Sequence, residues 1–335
     1  MNMCRSLLTI VAALSALLLL ACQDEMGKGK AGSASDPAKN LAVTASAKSR
    51  PSVSIALVMK TLTNPYYIQM EQGARRAAKE YGVELLVKTG AQETSIEQQI
   101  QIVDELIQNR IAAIVIAPGD SKRLVPILKK AQDQGIVIID VDNRLDAPAM
   151  QSQGMQKIPF VGVDNEKASF ESVKHVVDQI KKPTAVAILE GIRSTENSRL
   201  RVQGAEQAFA SNKFIKLVAR ESANWKIDEA REVTKRLLAE HPDIRILYCA
   251  NDMMALGAIK FLQDSGKTDV AVIGYDALEE AVAAIRQGRL LATVDQSAAE
   301  QGYVGVMLAF RRLKGDEVPP TTIIDTRLVT ADSLK

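Results

Sequence analysis

Short apolar runs in this chain repeatedly give way to a polar residue suited to gripping a small hydroxylated molecule. VSIALVM, IAAIVIA, IVIIDV, AVAIL, IRILYCA, VAVIGY and LLATV lead to Asn64, Asp120, Asp142, Glu190, Asn251, Asp276 and Gln296. A carboxylate accepts from two hydroxyls, an arginine fork donates to two oxygens, and a side-chain amide does one of each. Together with aromatic rings laid against C–H faces, such groups can satisfy a buried polyol. That satisfaction matters because an unpaired buried polar group costs about 1–3 kcal/mol. Taken singly, each residue also has a plainer reading. Asn64, before Pro65, can be a turn and helix cap, Tyr66 and Tyr67 can be core or surface aromatics, and Asp142 and Asp276 can be strand-end caps.

Signals for reactive chemistry are few. The two histidines, His175 and His241, lie in helix-like stretches without cysteine or carboxylate at metal-ligand spacing, so both read as surface residues and no metal is expected. The one GxGxxG string, Gly27 to Gly32, lies in a Gly/Ala/Ser/Lys-rich stretch with no strand-like run before it, no GxxxxGK[ST] or GxSxG occurs, and no carboxylate pair stands out. The reading is therefore of no catalytic residue, no cofactor and no enzyme. Lys plus Arg (42) nearly cancels Asp plus Glu (40), and no basic stripe is interleaved with aromatics, so nucleic acid is not an expected partner.

The elements that must position the polar residues follow from the pattern. Apolar runs of strand length, buried on both faces, suit parallel strands, and ligands bind at the carboxyl ends of such strands. Tyr67, Met70, Ala74, Ala77 and Tyr81 keep helical spacing, as do Ile96, Ile100, Val103 and Ile107, while Gly82, Gly135 and Gly266 fall where helices should stop. The alternation restarts after a loop expected from Asp146 to Lys157. With 335 residues, 47% of them hydrophobic, the chain can build two α/β cores. The expected fold is α/β, with two similar doubly wound parallel-sheet lobes.

The N-terminus reads as an export signal over residues 1–21: Arg5, then apolar Leu7 to Leu20, then Ala21. The apolar stretch is shorter than the ~20 residues that span hydrocarbon. Leu19-Leu20-Ala21-Cys22 resembles a bacterial lipobox, which makes Cys22 the expected lipidation site, followed by a flexible tether over 22–50 rich in Gly, Ala, Ser, Lys and Asp. Cys249, in IRILYCA, is expected to be a buried core thiol.

The segments IALVMKTLTNPYYIQMEQGARRAA, ANDMMALGAIKFLQDSG, VAVIGYD and LLATVDQ resemble, in order and near the same spacing, those of bacterial periplasmic ribose-binding proteins and their monosaccharide-binding relatives, over about Ser52 to Thr330. The ligand-sensing part of lactose-repressor-type regulators is similar in fold, but those carry an N-terminal helix-turn-helix where this chain has its export signal. The resemblance implies a type I periplasmic binding protein, with crossovers near Val163, Gln296 and Asp325. Residues 51–162 plus 297–325 would form the N-terminal lobe and 163–296 plus 326–335 the C-terminal lobe. Carried over by position, it implies ligand contacts from Asn64, Tyr66, Tyr67, Asp142, Arg201, Trp225, Asn251, Asp276 and Gln296, with the two tyrosines standing where phenylalanines are usual.

Two positions depart from that pattern. A usual asparagine is Ala117, and a usual arginine is Asn143, which stays in the expected contact set with Arg144 one place later. The hydroxyls of Tyr66, Tyr67 and Tyr275 are expected to add to the pocket wall, while Glu190 and Asn197 stand between contact and capping roles. The implied function is capture of a monosaccharide or polyol by a monomeric periplasmic or cell-surface protein, touching the membrane only through its lipid anchor. Delivery would be to a permease and its ATP-binding subunit. The alternative is a sensory co-receptor that presents its closed form to a membrane kinase or chemoreceptor.

Overall fold

The computed structural model describes residues 53–335, so the export signal, Cys22 and the tether lie outside the described residues. The chain begins with β1 (Ser54–Met59), α1 (Pro65–Tyr81), β2 (Glu84–Thr89), α2 (Ile96–Gln108), β3 (Ala113–Ile116), α3 (Val125–Asp133), β4 (Val137–Val141), α4 (Ala147–Ser152) and β5 (Phe160–Gly162). It continues through α5 (Asn165–Val177), β6 (Thr184–Glu190), α6 (Glu196–Ala210), β7 (Ile215–Ser222), α7 (Ile227–Glu240), β8 (Ile244–Cys249), α8 (Asp252–Asp264), β9 (Ala271–Ile273), α9 (Glu279–Arg286) and β10 (Ala292–Asp295). Then α10 (Ala298–Leu313), β11 (Thr321–Ile323) and β12 (Arg327–Thr330) close the fold.

The same topology is written twice. One sheet runs β2-β1-β3-β4-β5-β11 and the other β7-β6-β8-β9-β10-β12. In each, the strand order reverses beside the first strand, and the switch point at the strands' carboxyl ends is where an open α/β sheet binds ligands. The first sheet is parallel throughout, because each crossover returns the chain to the same end of the sheet; in the second, β12 alone runs antiparallel, pairing Ala292 with Thr330. The chain passes between lobes at 163–164, 296–297 and 324–326, so α5 packs on the second lobe's α6, and α10 returns to the first lobe against α1.

Burial explains the strands. Ile55, Leu57, Val115, Ile139, Ile188, Leu247 and Ile273 are fully enclosed, as continuous apolar runs require when helices cover both faces. Helix α1 starts where Asn64 accepts from Tyr66 N at 3.1 Å with Pro65 in the first turn, and it ends at Gly82, whose φ of 64° is one that glycine adopts without strain. Helices α1 and α10 lie so close that a β-carbon at Gly73 would overlap the carbonyl of Ala299, and one at Gly302 the carbonyl of Met70. Cys249 is buried and free.

The expected loop from Asp146 to Lys157 contains helix α4. Asp146 caps it, accepting from Ala149 N at 2.8 Å, and Pro148 sits in its first turn, where no amide donor is needed. The turn chemistry was present in the sequence, but a helix this short shows no apolar period.

Candidate ligand-binding cleft

The carboxyl ends of both sheets face one another across a narrow, largely polar cleft lined by side chains of both lobes. Among the described residues no cluster of His, Cys, Asp or Glu could hold a metal ion.

The N-terminal half is built around an anion. Asp142, just past β4 and held at φ 65°, accepts from the Tyr66 hydroxyl at 3.2 Å and the Tyr67 hydroxyl at 3.2 Å, and it pairs with Lys60 Nζ at 3.2 Å. All three partners come from the stretch that leaves β1. The two rings meet edge to face at 5.0 Å, and burial, with the Asp142 charge behind it, pushes both phenols well above their ordinary range. Asn64 has a double duty. Its oxygen caps α1 and its Nδ2 donates to Glu93 Oε1 at 3.0 Å. Glu93, in the loop after β2, is buried, and burial pushes its carboxyl upward against the opposing pull of Lys60 and Asn64.

The C-terminal half is built around a cation. Arg201, on α6 and 2% exposed, donates from Nε to Asn165 Oδ1 at 2.8 Å, from Nη1 to the Ala250 carbonyl at 2.9 Å and Asp276 Oδ1 at 3.4 Å, and from Nη2 to Gln296 Oε1 at 3.2 Å. Its guanidinium carbon lies 3.7 Å from the centre of the Tyr275 ring. Burial alone would lower its pKa, but the surrounding Tyr275, Asp276 and Asp142 outweigh that and hold it raised. Asp276 also accepts from Gln296 Nε2 at 2.6 Å, yet burial keeps its carboxyl well above the usual range despite Arg201. Asn251 caps α8 through Met254 N at 2.9 Å and donates to the Trp225 carbonyl at 3.4 Å. Trp225 itself sits at φ 66°, its indole against Gly191, where a β-carbon would overlap the ring.

Asn143 is not among the residues lining the cleft. Its Nδ2 donates to the Pro118 carbonyl at 2.9 Å and to Ser121 Oγ at 3.2 Å, and its Oδ1 accepts from Glu196 N at 2.9 Å and Asn197 N at 3.3 Å in the opposite lobe. Helix α6 has no side-chain cap of its own, because Thr195 Oγ1 donates to the Ile192 carbonyl instead. Its first amide donors are therefore satisfied across the cleft, by Asn143 and by Ser121 Oγ at 3.0 Å. A further bond, Ser121 N to the Ser194 carbonyl at 3.1 Å, lies beside them. An arginine could not accept these amides, whereas asparagine can.

The cleft lining gathers Asn64, Tyr66, Tyr67, Asp142, Arg201, Trp225, Asn251, Asp276 and Gln296, and adds Lys60, Glu93 and Asn197. The hydroxyls of Tyr66 and Tyr67 are engaged by Asp142 rather than left free, and Tyr275 lies fully buried beneath Arg201, outside the lining. Asp120 is a turn cap, accepting from Lys122 N and Arg123 N at 2.8 Å, while Glu190 pairs with Arg193 and Arg220 at 2.5 Å. Lys60 carried a readable signal, a charge directly ending the VSIALVM run. Glu93 follows ELLVKT, a half-buried edge strand that does not register as an apolar run.

Comparison with known proteins gives a consistent result. A family model described as a periplasmic binding protein domain matches residues 55–317. A D-ribose/D-allose-binding protein of Pseudomonas aeruginosa is 39% identical over 284 residues, covering 83% of this chain and 88% of that protein. The D-allose-binding periplasmic protein of Escherichia coli is 31% identical, covering 82% and 91%. The crystal structure of an ABC transporter periplasmic solute-binding protein from Actinobacillus succinogenes, with bound D-allose, superposes with a TM-score of 0.78 at 38% identity, covering 83% of this chain and 98% of that one.

Proposed function

Because the chain belongs to the periplasmic binding protein family, we propose that its interlobe cleft captures a monosaccharide or related polyol and delivers it to an ATP-driven membrane importer. The observation that carries this reading is the pairing of two opposed polar centres, Asp142 on one lobe and Arg201 with Asp276 on the other, across one cleft. A ligand touching both centres bridges the lobes, and it favours the closed form by its differential affinity for it. D-Allose and D-ribose are the first candidates, given what the relatives are described as binding.

Nothing in the cleft requires a reaction. Arg201, Asp276, Asp142 and Lys60 hold one another in place, and the ligand leaves as it entered. The partner is a permease with its ATP-binding subunit, and the carrier works in the periplasm as a monomer, tethered through lipidated Cys22.

A thermal-shift screen with D-allose, D-ribose, D-fucose, myo-inositol and xylitol tests the reading, since a ligand bound only by the folded state raises the melting temperature. Stabilisation by none of them would overturn it. The anchor is tested separately by Cys22→Ser, which should release the protein from the membrane fraction of expressing cells.

A further inference from the structure

Two polar atoms of the cleft lining have no partner among the described residues, and one of them is a carboxylate oxygen. The carboxylate of Asp142 already meets Tyr66, Tyr67 and Lys60, and that of Asp276 meets Arg201 and Gln296. Glu93 Oε1 accepts from Asn64, but Glu93 Oε2 is buried and has no hydrogen-bond partner among the described residues. Glu93 lines the cleft and is 6% exposed. Trp225 Nε1, on the opposite lobe, is the other cleft-lining side chain with such an orphaned atom. Buried carboxylate oxygens are rarely left this way, because the lost hydration is recovered only through a hydrogen bond.

We propose that Glu93 is a specificity-determining residue whose Oε2 accepts a hydrogen bond from one hydroxyl of the bound sugar. The inference rests on the sugar-binding reading above and deepens it. A hydroxyl supplies the one donor that this oxygen lacks, while the other two carboxylates of the lining, Asp142 and Asp276, are already paired with Lys60 and Arg201. Asn64 orients the carboxylate by holding its other oxygen, so the acceptor is fixed in place before the ligand arrives. A site built this way discriminates strongly, because a ligand lacking the hydroxyl leaves the carboxylate oxygen desolvated and unpaired.

Calorimetric titration of the protein, of Glu93→Gln and of Glu93→Ala with D-allose, D-ribose and their monodeoxy derivatives tests the assignment. Glu93→Ala should weaken the better of the two parent sugars at least tenfold, with Glu93→Gln intermediate because its amide oxygen still accepts. One deoxy sugar should bind the unmodified protein at least tenfold more weakly than its parent, yet bind Glu93→Ala as well as its parent does. Without ligand, Glu93→Gln should melt no lower than the unmodified protein, which separates recognition from a structural role. Equal parent affinity in Glu93→Ala, or a penalty that falls equally on every deoxy sugar, would overturn the inference and leave the sugar-binding reading intact. Failure of the unmodified protein to bind any of these sugars would overturn both.

Discussion

The two halves of the cleft solve the same problem with opposite charge and with different numbers of supporting segments. Asp142 is held by Lys60, Tyr66 and Tyr67, all within one short stretch between β1 and the first turns of α1. Arg201 is held by Asn165, Ala250, Asp276 and Gln296, drawn from α5 and from the ends of β8, β9 and β10. A centre tied to several segments is part of what holds its lobe together. A centre whose partners all come from one segment joins that segment to β4 and fewer elements depend on it. The C-terminal half is thus a fixed frame, and the N-terminal half, where Glu93 keeps a free oxygen, is where selectivity can be adjusted.

The largest expected effect tests the frame. Arg201→Met removes the cation from Asp276 and should lower unfolding free energy by about 3–5 kcal/mol in urea titrations, as breaking a buried pair does. A loss below about 1 kcal/mol would erase the distinction between the halves.

Acidity gives the next effect. Burial pushes Asp252, behind the same half, up to about 6, with Leu278 N and Thr293 opposing. A carboxyl whose folded pKa is raised contributes stability that is complete below its unfolded value near 3.9 and is lost as pH rises through about 6. Glu93, Asp140 and Asp276 are raised in the same direction. Lowering the pH from 7.5 to 5.5 should therefore hold or raise the melting temperature, with Asp252 adding up to about 1 kcal/mol of stability per pH unit, and Asp252→Asn should flatten the slope. A clear drop in melting temperature would contradict this.

Two smaller effects sharpen the contrast. Tyr67→Phe deletes one donor to Asp142 and should cost about 1 kcal/mol of stability, far less than Arg201→Met, by the same urea measurement. Asn143 is not itself in the cleft lining, but Asn143→Ala removes an acceptor for the first α6 amides across the lobes, that of cleft-lining Asn197 among them. It should weaken sugar affinity by about 0.5–1 kcal/mol, two- to fivefold by calorimetry, with a more open ligand-free shape in X-ray scattering.

Much of this was legible in the residues, for reasons that also explain what was not. Strands β1, β3, β4, β6 and β8 are enclosed on both faces, so their sequences are nearly pure apolar runs and the polar residues after them stand out. Strand β2 lies at an edge and is half-buried, which hid Glu93. Asp142, Asp276 and Trp225 owe their placement to positive φ angles, which no side-chain pattern announces for non-glycine residues. The engagement of the Tyr66 and Tyr67 hydroxyls by Asp142, and the reach of Asn143 to α6, depend on which segments meet in space. A linear pattern does not carry that information.

Asn143 and Ser121 hold the first amides of helix α6 across the lobes with the protein's own groups, so part of the driving force for closure is built into the protein. Apparent affinity is the intrinsic affinity scaled by the share of molecules already able to bind, and a stronger internal latch raises that share. The same latch also produces closed molecules with nothing inside. A membrane partner that recognised shape alone would meet these as false positives, so the strength of this latch bears on signalling as well as on affinity.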